Sequence, residues 1–74
     1  MNIEIEYCVP CGYLDKAVDA QKTILSTFGE QLGQVTLKPG NKGVYTFRAD
    51  GEVIYAKPDQ FRIEDIVDTI KARL

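Results

Sequence analysis

The chain has 74 residues, nine Lys+Arg against eleven Asp+Glu (a formal charge of −2), and no His. A single domain, residues 1–74, is expected, with a thin core, because folding at this size buries only about 60% of the unfolded chain's surface. The weak negative charge leaves no basic footprint for nucleic acid or an acidic membrane surface, and no apolar run approaches the ~20 residues that span a bilayer. Hydrophobic residues at 45% and charged residues at 27% fit a globular protein and exclude disordered or collagen-like chains.

Asn2 to Tyr7 alternates, with Ile3, Ile5 and Tyr7 on one face and Asn2, Glu4 and Glu6 on the other, the pattern of a half-buried strand. Val9-Pro10 and Cys11-Gly12 break it. Leu14, Ala17, Val18, Ile24, Leu25 and Phe28 then recur at helical intervals and predict an amphipathic helix of about four turns, which Gly29 stops. Gln34 to Leu37 predicts a short strand stopped by Pro39-Gly40. Gly43–Ala49 and Glu52–Lys57 predict two strands joined by Asp50-Gly51, a strong hairpin signal, and Pro58 ends the second. Ile63, Ile66, Val67, Ile70 and Leu74 mark a last helix, with Glu64 and Asp65 in its first turn and Lys71 and Arg73 in its last, as the helix dipole favours. The order β-α-β-β-β-α predicts a two-layer α/β sandwich. Its mixed four-stranded sheet opens with a parallel β-α-β crossover and carries both helices on one face.

The two cysteines, Cys8 and Cys11, are spaced C-x-x-C at the predicted strand-to-helix junction. A structural zinc site wants four Cys/His ligands, and one chain offers two. A disulfide closing so short a loop contributes only about 2 kcal/mol by chain entropy and seldom persists in a reducing cytoplasm unless it cycles. A helix N-terminus is suited to stabilising a thiolate, through its free N–H groups and the positive end of its dipole. Pro10 within the motif removes one N–H and fixes one φ. Redox chemistry is therefore the leading reading. A redox-regulated binding module without turnover is the alternative, followed by a Cu(I) site, since two thiolates suit that ion. Copper chaperones with this motif end in a strand, whereas this chain ends in a predicted helix.

The segments IEYCVPCGY, KPGNKGVYTFRADGEVIYAK and FRIEDIV resemble the selenoprotein W-related (Rdx) family, over about Ile3 to Ala72. The resemblance implies a thioredoxin-like fold, a weak thiol oxidoreductase acting in cell redox homeostasis, and glutathione or a redox partner protein as electron donor, with no bound cofactor or metal. Selenocysteine in the family's animal members falls at the position of Cys11, so this chain is an all-sulfur form. Roles conflict at this point. Thioredoxin-type chemistry makes the first, more exposed cysteine the attacker, and the expectation leans to Cys8 attacking with Cys11 resolving. Thioredoxins also set a cis-proline before their third strand, where this chain has Gly43-Val44, so no groove for extended peptide is implied.

Around the motif, Val9, Pro10, Gly12 and Tyr13 are supporting residues, with Tyr13 a candidate shield for a sulfur. Tyr7, Tyr45, Phe47 and Tyr55 read as core or sheet-face residues, and so does Phe61. The Gly40–Gly43 loop reads as ordinary turn chemistry. The start, MNIEIEYC, does not read as a signal peptide, so the cytoplasm is the expected compartment; a monomer is expected, although nothing in the sequence sets the oligomeric state.

Overall fold

The computed structural model describes residues 1–74. Its elements follow the expected order: β1 (Asn2–Cys8), α1 (Leu14–Phe28), a 3-10 turn (Gly29–Gln31), β2 (Gln34–Gly40), β3 (Tyr45–Ala49), β4 (Glu52–Ala56) and α2 (Ile63–Arg73). The sheet order is β2-β1-β3-β4. β1 runs parallel to β2 and antiparallel to β3, and β3 is antiparallel to β4. The alternation of β1 sends Ile3, Ile5 and Tyr7 into one core with Val35, Tyr45, Phe47 and Ala49. Residues of both helices join that same cluster, Ala17, Ala20, Ile24 and Phe28 from α1 and Ile66 and Ile70 from α2. One face of the sheet is thus covered. The other is polar, and there Arg48 Nη1 donates to Glu4 and Glu6 at 3.0 Å each.

Asp50 and Gly51 both take positive φ, 50° and 86°, as a two-residue hairpin turn matched to strand twist requires. Asp50 also ties this turn to β1, its carboxylate accepting the Asn2 N–H at 2.8 Å.

Several boundaries and faces depart from expectation. Pro39 does not stop β2, which continues to Gly40. β2 is an edge strand, where a missing N–H is tolerated. β3 begins at Tyr45 rather than Gly43, because Val44 N–H closes a turn onto Asn41 O at 3.3 Å. β4 ends at Ala56, before Lys57. The buried stripe of α1 is centred on Ala17, Ala20, Ile24 and Phe28, while Leu14, Val18 and Leu25 face solvent. Gln21 lies beside that stripe, its side-chain amide donating to Val35 O at 2.8 Å, which pins this rotation of the helix against β2. Leu74 falls beyond α2 and is exposed. Phe61 is only partly covered, its ring packed on Tyr45, Phe47 and Tyr55. No helix is long and apolar enough to cross a membrane.

Candidate functional site: the Cys8–Cys11 disulfide

Cys8 is the last residue of β1 and pairs with Gly40 of β2. The chain then turns: Val9 N–H donates to Gly40 O at 3.0 Å and Gly12 N–H to Val9 O at 3.1 Å. Pro10 and Cys11 are the central residues of this turn, Pro10 at a position its fixed φ suits. Gly12 adopts φ 75°, and Tyr13 is the N-cap of α1. Cys8 and Cys11 are joined by a disulfide, with their Cα atoms 5.3 Å apart.

The two sulfurs occupy different environments. Cys8 is 0% exposed, whereas Cys11, in the turn, is exposed. By strand alternation Cys8 shares the polar face with Asn2, Glu4 and Glu6, and it is not among the fourteen residues of the core cluster. The β2–β3 turn comes up against it, and the Gly43 N–H donates to Cys8 Sγ at 3.1 Å. Two sequence expectations change here. The more exposed cysteine is the second, not the first. And the N–H that reaches a sulfur comes from the loop 35 residues away, not from the first turn of α1, whose N-cap lies five residues beyond Cys8. The Gly40–Gly43 loop is therefore part of the site, not turn chemistry alone.

The contacts of Tyr13 are with Lys57, Lys16 and Tyr45. Its hydroxyl accepts a hydrogen bond from Lys57 Nζ, and the ammoniums of Lys57 and Lys16 lie 4.9 and 5.0 Å from its ring centroid. The Lys57 hydrogen bond, aided by both lysine charges, lowers the Tyr13 phenol below its usual range. Its ring meets Tyr45 edge-on at 5.7 Å. Tyr45 is 5% exposed, and its hydroxyl is buried without a hydrogen-bond partner. Burial pushes that phenol up to about 12. Lys57 gave no signal in the sequence, because its contact with Tyr13 spans 44 residues.

α1 and the segment after β4 border an open cavity of about 500 Å3, which begins at Tyr13 and is lined by neither cysteine. Tyr55, Phe61 and Ile63 supply apolar wall, and Tyr13, Lys16, Asp19 and Lys57 supply polar groups. Its volume falls within the range of small-molecule sites, and its mixture of apolar wall with a few polar groups is typical of them.

The sequence model of the Rdx family matches residues 2–73. A protein of known crystal structure from Bordetella parapertussis is 29% identical, with a TM-score of 0.93 over 99% of this chain and 96% of that one. A selenoprotein W-related protein from Vibrio cholerae, 21% identical, superposes with a TM-score of 0.92 over 97% of this chain and 94% of its own, a likeness of fold. No curated protein matches the sequence.

Proposed function

We propose that this chain, which belongs to the Rdx family, is a thiol–disulfide redox protein that cycles Cys8 and Cys11 between dithiol and disulfide and takes its electrons from glutathione. The observation that carries this reading is the asymmetry of the disulfide, one sulfur open to an incoming thiolate and the other buried on an N–H donor. The glutathione thiolate attacks Cys11 Sγ, the S–S bond breaks, and its electron pair leaves on Cys8 Sγ. A second glutathione thiolate attacks the glutathione sulfur of the mixed disulfide, releasing oxidised glutathione and the Cys11 thiolate. Two electrons enter the protein. In the opposite direction Cys11 attacks a partner's disulfide, and Cys8 then attacks Cys11 Sγ to expel the reduced partner. This gives Cys11 the attacking role and Cys8 the resolving one.

The cavity that begins at Tyr13, two residues past Cys11, supports glutathione as donor. Lys16 and Lys57 offer ammoniums to two carboxylates and Asp19 a carboxylate to an amine, the charges that tripeptide carries. Lys16→Gln and Lys57→Gln are each expected to weaken reduction by glutathione by up to about fivefold, the range of a solvent-exposed ion pair. Reduction by dithiothreitol, which carries no charge, should change less. Equal loss with both reductants would remove the cavity from this reading.

The decisive test is equilibration across GSH/GSSG ratios, with alkylation of free thiols and intact mass. A two-thiol transition within the glutathione poise of roughly −220 to −320 mV is the expected result, and it suits a reducing compartment such as the cytoplasm. Thiols that never pair across that range would overturn it. One observation favours a second reading, a redox-regulated binding module: Val9 and Leu14, two residues before and three after Cys11 in sequence, are both about half-exposed. It predicts partner capture that follows the disulfide state without turnover.

A further inference from the structure

We infer that the Gly43 backbone N–H is a catalytic group, holding the negative charge on Cys8 Sγ each time the disulfide opens. The inference rests on the proposed cycling of Cys8 and Cys11. Opening the disulfide from the Cys11 side leaves an electron pair on a sulfur that is 0% exposed, where water cannot solvate it. A buried charge without a partner is costly, and the chain has no His to supply one. The donor in place is Gly43 N–H, at 3.1 Å.

The way this donor is presented supports the assignment. Lys42 and Gly43 take φ of 60° and 78°, and Val44 N–H closes the turn on Asn41 O. Glycine adopts that conformation freely, whereas a lysine does so at a cost. Such strain persists where the surroundings over-determine it, and it gathers at functional sites. In the disulfide this N–H meets a neutral sulfur, a weak acceptor, but once the bond opens it meets a thiolate. The contact is therefore worth more in the charged state and along the path to it than in the ground state, which is the condition for accelerating a step. It favours opening and stabilises the reduced form, and so makes the disulfide the more oxidising.

The chain is short enough for total chemical synthesis, so the donor can be deleted alone by replacing Gly43 with glycolic acid, an ester in place of the amide. A glycolate at Gly51, in the β3–β4 turn, controls for the ester. In a Cys11→Ser background, thiolate absorbance reports Cys8 alone. The Gly43 ester should raise the Cys8 pKa by about one unit, a tenfold loss of thiolate stability. With both cysteines present, and at a pH above the Cys8 pKa of both proteins, the glutathione equilibrium should move about tenfold towards disulfide, equivalent to about 30 mV. The Gly51 ester should do neither. Should the Gly43 ester fold poorly, the unmodified amide reports instead: in the Cys11→Ser protein its proton resonance should move downfield with the ionisation of Cys8. A Cys8 pKa and equilibrium within twofold of the Gly51 control, or an amide resonance blind to Cys8 ionisation, overturns the inference while the redox cycle stands. A pKa and resonance that respond, in a protein that dithiothreitol opens and glutathione does not, uphold the inference and overturn glutathione as donor.

Discussion

Cys11→Ser should abolish disulfide exchange, on the order of a thousandfold or more as for loss of a nucleophile elsewhere, whereas Cys8→Ser should retain the first half of the reaction. In Cys8→Ser, Cys11 remains exposed in its turn and attacks oxidised glutathione. No second thiol is present to resolve the product, so a stable adduct of one glutathione per chain should accumulate and be seen by intact mass. In Cys11→Ser, the remaining thiol is the one with 0% exposure, reached only when the β2–β3 turn opens away from Cys8. Access, not intrinsic reactivity, separates the two variants. Depressing a thiol's pKa enlarges its thiolate fraction but weakens each thiolate as a nucleophile, so the two effects largely offset. Adduct formation at comparable rates in both variants would overturn the assignment of roles. A faster reaction at Cys8 would restore the order expected from thioredoxin-type chemistry.

Local patterns made most of the fold legible, because most of its elements are specified by neighbours in sequence. Alternation over Asn2–Tyr7, the Asp50-Gly51 turn and the charge-capped repeat from Ile63 each reflect contacts within a few residues, and all three appear in the structure. The rotation of α1 did not follow, because hydropathy favours Leu14, Val18 and Leu25 over Ala17 and Ala20. The sheet instead receives the two small methyl side chains, with Gln21 bonded to Val35 O beside them. Pro39 misled for a similar reason, since whether a proline ends a strand depends on whether that strand lies at an edge. At the site, the C-x-x-C spacing located both sulfurs, but their unequal burial and the Gly43 donor depend on how far a turn 35 residues distant folds back. No periodicity encodes that. The conflict between the two role assignments was visible in the sequence, whereas the difference in exposure that favours Cys11 as attacker was not.

Phe47→Ala should destabilise the protein by about 3–5 kcal/mol, and Leu25→Ala by well under 1 kcal/mol. Phe47 is 0% exposed. It lies opposite Ile5 on β1 and Tyr55 on β4, and its ring packs on those of Tyr45, Tyr55 and Phe61 at 5.2 to 5.9 Å between centroids. Truncating it leaves a cavity where both halves of the sheet meet the helices, and those aromatic rings are too rigid to collapse into it. Only 16 of the 74 residues are buried, so the loss falls on a thin core. At roughly 0.05–0.15 kcal/mol per residue the whole domain is stable by about 4–11 kcal/mol, and one such change removes a large share. For a domain of this size each kcal/mol shifts the melting temperature by about 4–8 °C, so thermal melts of the oxidised protein should separate the two variants by 10 °C or more. Leu25 is 42% exposed, and its truncation deletes few contacts although hydropathy alone ranks it with the core of α1. A melting temperature that falls as far for Leu25→Ala as for Phe47→Ala would mean that α1 packs through its Leu14–Val18–Leu25 stripe. Leu14, Val18 and Leu25 would then be buried against the sheet, leaving Val9 as the apolar side chain next to the motif.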